Sequence, residues 1–230
     1  MSLKNMEEKR DARLRIIQKH IDNQVSFVDE FTAYIDEAVV IGRGTVIGPC
    51  VTLQGKTVIG EDCFVGQNTV IKDSKIDNKV DIKSSVITES SVGSETTVGP
   101  FAYLRPGSNV GQKCKVGDFV EIKNSTMGNG AKASHLTYIG DADIGKNVNL
   151  GCGVVFVNYD GTNKYRSVVE DNAFVGCNSN LVSPVRVGEG AYIAAGSTVT
   201  DDVEADSLYI ARSKAVKKSG WASAKGILKK

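Results

Sequence analysis

The sequence is poor in aromatic residues and carries almost no net charge. Only 7% of its 230 residues are aromatic, 41% are apolar, and the formal net charge is +1. This composition suits a thin core, and a near-neutral chain has no global field that would steer it to nucleic acid or to a membrane surface. No apolar stretch approaches the roughly 20 residues that span a bilayer, and the charged residues 1–13 lack the apolar core of a signal peptide. We therefore expect a cytoplasmic protein with no membrane span and no nucleic-acid partner.

Paired cysteine motifs are also missing. The five cysteines lie at positions 50, 63, 114, 152 and 177, and no two of them form a CxxC pair. An odd number of cysteines with no CxxC pair argues against a disulfide framework and against a zinc knuckle. We expect no metal site.

One pattern does run through the chain: an aliphatic residue returns about every six positions from Ile41 to Val199, often followed by glycine. A repeat this short predicts an all-β fold, the parallel β-helix, in which each hexad is one short strand and a corner. Three hexads make one triangular coil, which predicts about nine coils. Small residues four places after the aliphatic are expected to fill the same narrow interior: Thr45, Cys63, Thr69, Cys114 and Ser197. The clearest runs are Ile41, Ile47, Leu53, Ile59, Val65 and Ile71, then Val92, Val98, Leu104, Val110, Val116 and Ile122, and finally Val169, Val175, Leu181, Val187, Ile193 and Val199.

Two segments flank the repeats and divide the chain into three predicted regions: a linker at 1–30, the β-helix at 31–205 and a basic arm at 206–230. The linker contains an amphipathic helix over about residues 4–23, with Leu14, Ile17 and Ile21 on one stripe. This helix could cover the open edge of the first coil, and its His20 is interpreted as a surface or packing residue. The arm, with Trp221 among its lysines, is either a frayed tail or a segment that meets a polyphosphate.

One interruption breaks the six-residue step. The inserted stretch between Phe156 and Val169, residues 158–166, is polar and rich in turn formers. An excursion from a regular solenoid projects from one face, where binding sites are often built. We interpret it as either a binding loop or a tolerated surface loop.

The hexad count also predicts which distant residues become neighbours, because successive coils stack about 4.8 Å apart. Two residues past the inward position, the late coils carry one outward column, formed by His135, Cys152, Cys177 and Ala195. One residue past it, Arg105 and Lys123 form a column of two cations. An anion between them would turn their repulsion into binding, unless both side chains splay into solvent.

A further column, Glu121 and Tyr138, precedes the inward positions nearby and is expected to bring a carboxylate towards His135. A histidine oriented by a carboxylate is a general-base arrangement.

At these residues the sequence resembles a known family. The resemblance covers about residues 30–221 and depends on linked strings: 99–102 (GPFA) with 104–107 (LRPG), 120–123 (VEIK), 135–138 (HLTY), 158–161 (NYDG) with Lys164, and 193–196 (IAAG). These strings are similar to the acetyltransferase half of the bacterial bifunctional N-acetylglucosamine-1-phosphate uridyltransferase / glucosamine-1-phosphate N-acetyltransferases, which are hexapeptide-repeat transferases. The resemblance implies a left-handed coil, a homotrimer with sites between subunits, and a C-terminal arm that completes each site.

It also implies a reaction: acetyl transfer from acetyl-CoA to the 2-amino group of glucosamine 1-phosphate, giving N-acetylglucosamine 1-phosphate for cell-envelope precursors. His135 would be the base and Glu121 would orient it. The residues implied to contact the amino-sugar phosphate are Arg105, Lys123, Tyr138, Asn149 and Lys164. Those implied on the acetyl-CoA side are Cys152, Asn158, Tyr159, Cys177, Ala195 and Arg212.

The chain departs from the family in three places. No uridyltransferase half is recognisable, Cys152 stands where alanine is frequent, and Cys177 stands where a serine hydroxyl is frequent. The register would bring these thiols close enough for a disulfide, although a reducing cytosol opposes one. Direct attack on the thioester needs no acyl-cysteine intermediate.

Two other functions stay open at this level. The hexads also permit an acyltransferase for another amino sugar or a sugar nucleotide, or a trimeric scaffold without catalytic activity. A γ-carbonic-anhydrase-like enzyme would need three metal-binding histidines, whereas the chain has two, one of them on the terminal helix.

Overall fold

Short parallel strands make up almost the whole described chain, residues 3–227 of the computed structural model. Helix α1 spans Leu3–Asp22 and helix α2 spans Trp221–Ala224. The first ten strands are β1 (Ser26–Phe27), β2 (Tyr34–Ile35), β3 (Val40–Ile41), β4 (Val46–Ile47), β5 (Thr52–Gln54), β6 (Val58–Ile59), β7 (Phe64–Val65), β8 (Val70–Lys72), β9 (Lys75–Ile76) and β10 (Asp81–Ile82). The next ten are β11 (Val86–Thr88), β12 (Ser91–Val92), β13 (Thr97–Val98), β14 (Tyr103–Leu104), β15 (Asn109–Val110), β16 (Lys115–Asp118), β17 (Glu121–Lys123), β18 (Thr126–Met127), β19 (Lys132–His135) and β20 (Tyr138–Gly140). The last ten are β21 (Ala142–Ile144), β22 (Asn149–Leu150), β23 (Val155–Val157), β24 (Ser167–Val169), β25 (Phe174–Val175), β26 (Asn180–Val182), β27 (Arg186–Val187), β28 (Tyr192–Ile193), β29 (Thr198–Val199) and β30 (Leu208–Tyr209).

The strands form three parallel sheets, because every third strand returns to the same face of the coil. The first sheet runs from β1 through β4 to β28 and β30, the second from β2 to β29, and the third from β3 to β27. The predicted parallel β-helix is therefore confirmed, and it is left-handed. It has about ten coils rather than nine. Strands extend from Ser26 to Tyr209, beyond the expected bounds 31 and 205, because the end coils pair in register without the full hexad pattern.

The core is a stack of the inward aliphatic residues. Residues such as Ile47, Leu53 and Ile59 are at most 1% exposed, and each contributes roughly 1.5–3 kcal/mol when fully buried. The small residues predicted to share this interior, Thr45, Cys63, Thr69, Cys114 and Ser197, are all buried. One stack of apolar side chains thus holds the three sheets together.

Helix α1 packs against the first coils, as predicted, but on a different stripe. Ile17 is buried and Leu14 is half-buried, whereas Ile21 is 41% exposed and His20 takes its place in the interface. The carbonyl oxygen of His20 accepts the backbone N–H of Val25, so the chain turns directly into the first coil at this point. The turn fixes which side of the last helical turn faces inward. No helix among residues 3–227 is long and apolar enough to cross a membrane.

Two corners of the triangular coil frame the region of interest. Between the first and second sheets lie Phe101, Phe119 and Leu136, and between the second and third lie Asn124 and Asp141; all five have positive φ. The predicted excursion leaves after β23 and returns at β24, with residues 159–166 exposed and Tyr159 bridged to Lys164. After β30 the arm has no helix or strand up to α2, and most of its residues are exposed.

Candidate active site

The predicted outward column at the end of the first-sheet strands is present. Ala133 pairs with Leu150, Leu150 with Val175, and Val175 with Ile193. This register confirms that His135, Cys152, Cys177 and Ala195 lie at one offset in successive coils. The column also begins one coil earlier, because Asp118 pairs with His135.

His135 is oriented by Asp118. Its Nδ1 lies 2.7 Å from Asp118 Oδ1, with both side chains about half exposed. The hydrogen bond from His135 holds the pKa of Asp118 below its ordinary value, so the carboxylate is ionised and acts as an acceptor. Nδ1 must then carry the proton, which leaves Nε2 of the neutral ring as a proton acceptor. This is the arrangement that a general base requires.

The expectation that Glu121 orients His135 is corrected by these contacts. Glu121 Oε1 accepts a hydrogen bond from Arg105 Nη1 at 2.8 Å. Glu121 lies on the second sheet, past the corner at Phe119, whereas His135 ends a strand of the first sheet. In the described contacts Glu121 therefore pairs with a cation, whereas Asp118 pairs with His135.

Three cations converge at the other edge of the second sheet. The backbone N–H of Arg105 donates to the carbonyl oxygen of Ile122 at 2.8 Å, which places Arg105 beside Lys123 as predicted. Lys164 reaches them from the excursion: the hydrogen-bonded, charged neighbour Lys123 lowers the pKa of Lys164, and the charge of Arg105 adds to the effect. Glu121 and Asp141 offset part of the repulsion, since Asp141 Oδ2 lies 3.3 Å from Lys123 Nζ. Three cations with two carboxylates leave an excess of positive charge, which suits a phosphate.

Tyr138 lies against the same cluster. It pairs with Glu121 in the neighbouring coil, and its ring extends over Gly140. A Cβ at Gly140 would collide with the Tyr138 hydroxyl, so the missing side chain gives this hydroxyl its place.

The residues expected on the acetyl-CoA side follow the column away from His135. Cys152 and Cys177 are neighbours in register, and both are exposed and free of disulfides. Arg212 Nη1 donates to the carbonyl oxygen of Ala195 at 2.5 Å, which fixes the start of the arm against the end of this column. Asn158 is buried at the base of the excursion, whereas Tyr159 is exposed and donates its hydroxyl to the carbonyl oxygen of Gly161.

Asn149 is not brought to the cations. It lies on the outward face of the first sheet, paired with Lys132 and Phe174. The cations lie at the far edge of the second sheet. Within one chain the predicted substrate contacts are therefore divided between two faces.

Sequence reasoning missed two carboxylates, although the hexad count gives the register position of each. Asp118 is two residues past the inward Val116, as His135 is past Ala133. Asp141 is two residues past Ile139, as Asn124 is past Ile122. No group of three or more His, Cys, Asp or Glu side chains in the described part of the chain could hold a metal ion.

Comparisons with known proteins agree with this architecture. Residues 38–73 and 166–201 match the family model described as bacterial transferase hexapeptide (six repeats). The chain is 56% identical over 213 residues to the bifunctional protein GlmU of Clostridioides difficile (strain 630), covering 93% of this chain and 46% of that protein. It is 52% identical over 223 residues to the bifunctional protein GlmU of Geobacillus sp. (strain WCH70), covering 97% of this chain and 49% of that protein. The chain thus spans about half the length of these relatives, and it matches their C-terminal part.

Among solved structures, the Arabidopsis UDP-N-acetylglucosamine acyltransferase superposes with a TM-score of 0.61 at 17% identity. The match covers 78% of this chain and 69% of that one. At this identity the likeness concerns the fold alone.

Proposed function

The chain belongs to the bacterial hexapeptide-repeat transferases that include the C-terminal part of GlmU, and from this premise we propose that it is a glucosamine-1-phosphate N-acetyltransferase. It would move the acetyl group of acetyl-CoA to the 2-amino group and so form N-acetylglucosamine 1-phosphate, a cell-envelope precursor. The observation that carries the proposal is the 2.7 Å contact between His135 Nδ1 and Asp118, at the head of the column that leads to Cys152 and Cys177.

In this reaction the nitrogen of the 2-amino group attacks the thioester carbonyl, and His135 Nε2 takes a proton from that amino group. The new C–N bond forms, the C–S bond breaks, and the proton passes to the leaving thiolate. Asp118 keeps the proton of the neutral ring on Nδ1, and it stabilises the imidazolium that forms when Nε2 takes the proton. Neither thiol of the column is needed as a nucleophile.

The cation cluster binds the phosphate of the acceptor. Arg105, Lys123 and Lys164 supply charge, and the Tyr138 hydroxyl supplies a hydrogen bond. Glu121 acts here through Arg105, whose guanidinium it holds. Cys152, Asn158, Tyr159, Cys177, Ala195 and Arg212 are proposed to line the acetyl-CoA side. The proposed compartment is the cytoplasm, where a reducing environment would keep the neighbouring thiols of Cys152 and Cys177 free.

A homotrimer with shared sites completes this proposal. Asn149 and the cations lie on different faces of one chain, so a second copy must bring the two faces together. An apolar ladder at the corner beside His135 offers a contact surface: the rings of Phe101 and Phe119 stack at 5.6 Å, and both residues and Leu136 are 59% exposed. Exposed apolar side chains in a row are typical of subunit interfaces.

The direct test follows thiol release from acetyl-CoA in the parent and in His135→Ala. Loss of a general base should lower kcat by roughly 10²–10⁴, while calorimetric binding of acetyl-CoA persists. Comparable rates would remove His135 from the mechanism. Activity only on another amino sugar or on a nucleotide-linked sugar would replace the acceptor, and failure to bind acetyl-CoA and every amino-sugar phosphate would leave a scaffold.

A further inference from the structure

Asp141 lies where the cation cluster meets the excursion. Its backbone has φ 51°, a left-handed conformation that Asp adopts more readily than most residues. Its N–H donates to the carbonyl oxygen of Lys123 at 3.0 Å, and its own carbonyl oxygen accepts the N–H of Ser167, the first residue after the excursion, at 3.1 Å. The backbone of Asp141 therefore joins the Lys123 strand to the returning end of the excursion.

The carboxylate of Asp141 also joins the Lys123 strand to the excursion, at the start of the excursion, where Asn158 lies. Oδ2 accepts hydrogen bonds from Asn158 Nδ2 at 2.5 Å and from Lys123 Nζ at 3.3 Å, and Oδ1 accepts one from Asn124 Nδ2 at 2.6 Å. Burial raises the pKa of Asp141, but the hydrogen bonds from Asn124, Asn158 and Lys123 outweigh it, so that the pKa lies below its ordinary value. The group is an ionised acceptor with only 7% of the residue exposed.

The residue before it leaves room for this arrangement. A Cβ at Gly140 would collide with the Tyr138 hydroxyl and would lie 2.8 Å from Asn158 Nδ2. Without that side chain, the Tyr138 hydroxyl and the Asn158 amide, which donates to Asp141, both lie close to where a Cβ of residue 140 would stand.

We infer that Asp141 is a positioning residue that couples the two halves of the active site, because one carboxylate holds both Lys123 and Asn158. The inference depends on the proposed function for the two ligands: the phosphate of the acceptor at Lys123 and acetyl-CoA at Asn158. Asp141 touches neither ligand in this account. It fixes the distance between the two side chains that do.

Double-mutant cycles test the coupling. Lys123→Ala should raise KM for glucosamine 1-phosphate, Asn158→Ala should raise KM for acetyl-CoA, and Asp141→Ala should raise both by about tenfold, because one network carries both contacts. In the Asp141→Ala background each of the other substitutions should then add less than about twofold. Additive effects in both cycles would overturn the inference.

Two further variants separate coupling from loss of the fold. Asp141→Asn keeps an oxygen for Asn158 but no charge for Lys123, so it should restore KM for acetyl-CoA and leave KM for the sugar phosphate raised. Asp73→Ala is the matched control: Asp73 occupies the same corner of an early coil with φ 46°, and its Oδ1 accepts the N–H of Lys56. It should lower the melting temperature without changing either KM, and a change in both KM values as large as that in Asp141→Ala would contradict a specific role.

A failure of the proposed function is distinguishable from a failure of this inference. If the parent releases no thiol with glucosamine 1-phosphate, the function is wrong. Calorimetry with acetyl-CoA alone still measures the Asp141–Asn158 cycle, where additive losses of affinity refute the coupling.

Discussion

At the scale of single residues, the proposed catalysis depends on which carboxylate contacts His135. Asp118 and His135 occupy the same position in adjacent coils, so a short side chain is enough to span the gap between strands. Glu121 lies past the corner at Phe119 and accepts a hydrogen bond from Arg105. In the proposed mechanism the two carboxylates therefore act on different parts of the reaction: Asp118 supports the base and Glu121 supports the phosphate site.

Substitution of Asp118 should change catalysis rather than binding. Asp118→Asn still accepts a hydrogen bond but cannot stabilise the imidazolium, so kcat should fall between about 10- and 10³-fold. Thiol release from acetyl-CoA at saturating substrate measures this fall in kcat. An unchanged kcat would contradict the role of Asp118.

Glu121→Gln is the matched comparison. It keeps an oxygen for Arg105 but removes the negative charge, and it does not touch His135, so KM for the sugar phosphate should rise by about fivefold, as expected when a charge-assisted hydrogen bond loses its charge, with kcat retained. A fall in kcat as large as that in Asp118→Asn would restore Glu121 as the orienting residue.

The residue columns were predictable because a solenoid has a fixed register. The spacing alone placed Arg105 beside Lys123 and His135 beside Cys152. It could not assign the partner of His135, since register gives the neighbours of each Cα but not the direction of each side chain. The Asp141 network was equally out of reach, because it depends on how the excursion folds back.

At the scale of elements, the hexad rule states which side of each strand supports the fold. Leu104 is fully buried on β14, whereas Val86 on the paired strand β11 faces outward and is 38% exposed. Leu104→Ala should lower the free energy of unfolding by about 2–5 kcal/mol, and Val86→Ala by less than about 1 kcal/mol. Denaturant titrations measure the free energy of unfolding of both variants. Equal losses would mean that the residues predicted to point inward are wrong.

Helix α1 should give the protein a pH-dependent stability. Burial, together with the charge of Lys19, lowers the pKa of His20, so the folded state binds fewer protons than the unfolded state below about pH 6.5. Stability should be full above that pH and should decline as the pH falls towards the folded-state pKa. Melting temperatures of the parent and His20→Gln between about pH 5 and 8 test this around the ordinary histidine value.

The slope of melting temperature against pH should be smaller in His20→Gln than in the parent. Equal slopes in the parent and His20→Gln would contradict the claim that His20 on helix α1 makes the stability depend on pH. The burial of His20 could not be read from the apolar stripe, because the turn into the first coil, rather than the spacing of Leu14, Ile17 and Ile21, sets the inward face.

At the scale of the whole molecule, the residues of the proposed site lie on two faces of the coil. His135, the column of Cys152 and Cys177, and Asn149 belong to the first sheet. The cation cluster belongs to the second sheet and the excursion. A rigid β-helix cannot fold one face onto the other, since its core is a single packed stack. Two copies in contact at the ladder of Phe101, Phe119 and Leu136 would close the gap.

Mixed oligomers test this central claim most directly. At a glucosamine 1-phosphate concentration well below the parent KM, Lys123→Ala and Asn149→Ala should each release thiol at about a tenth of the parent rate or less, because each removes one substrate contact from every site. When the two variants are unfolded together and reassembled in equal amounts, about a quarter of the shared sites receive an intact Lys123 and an intact Asn149 from different copies. Thiol release from acetyl-CoA with glucosamine 1-phosphate should then recover to about a quarter of the parent rate. A mixture no more active than either variant alone would contradict the account.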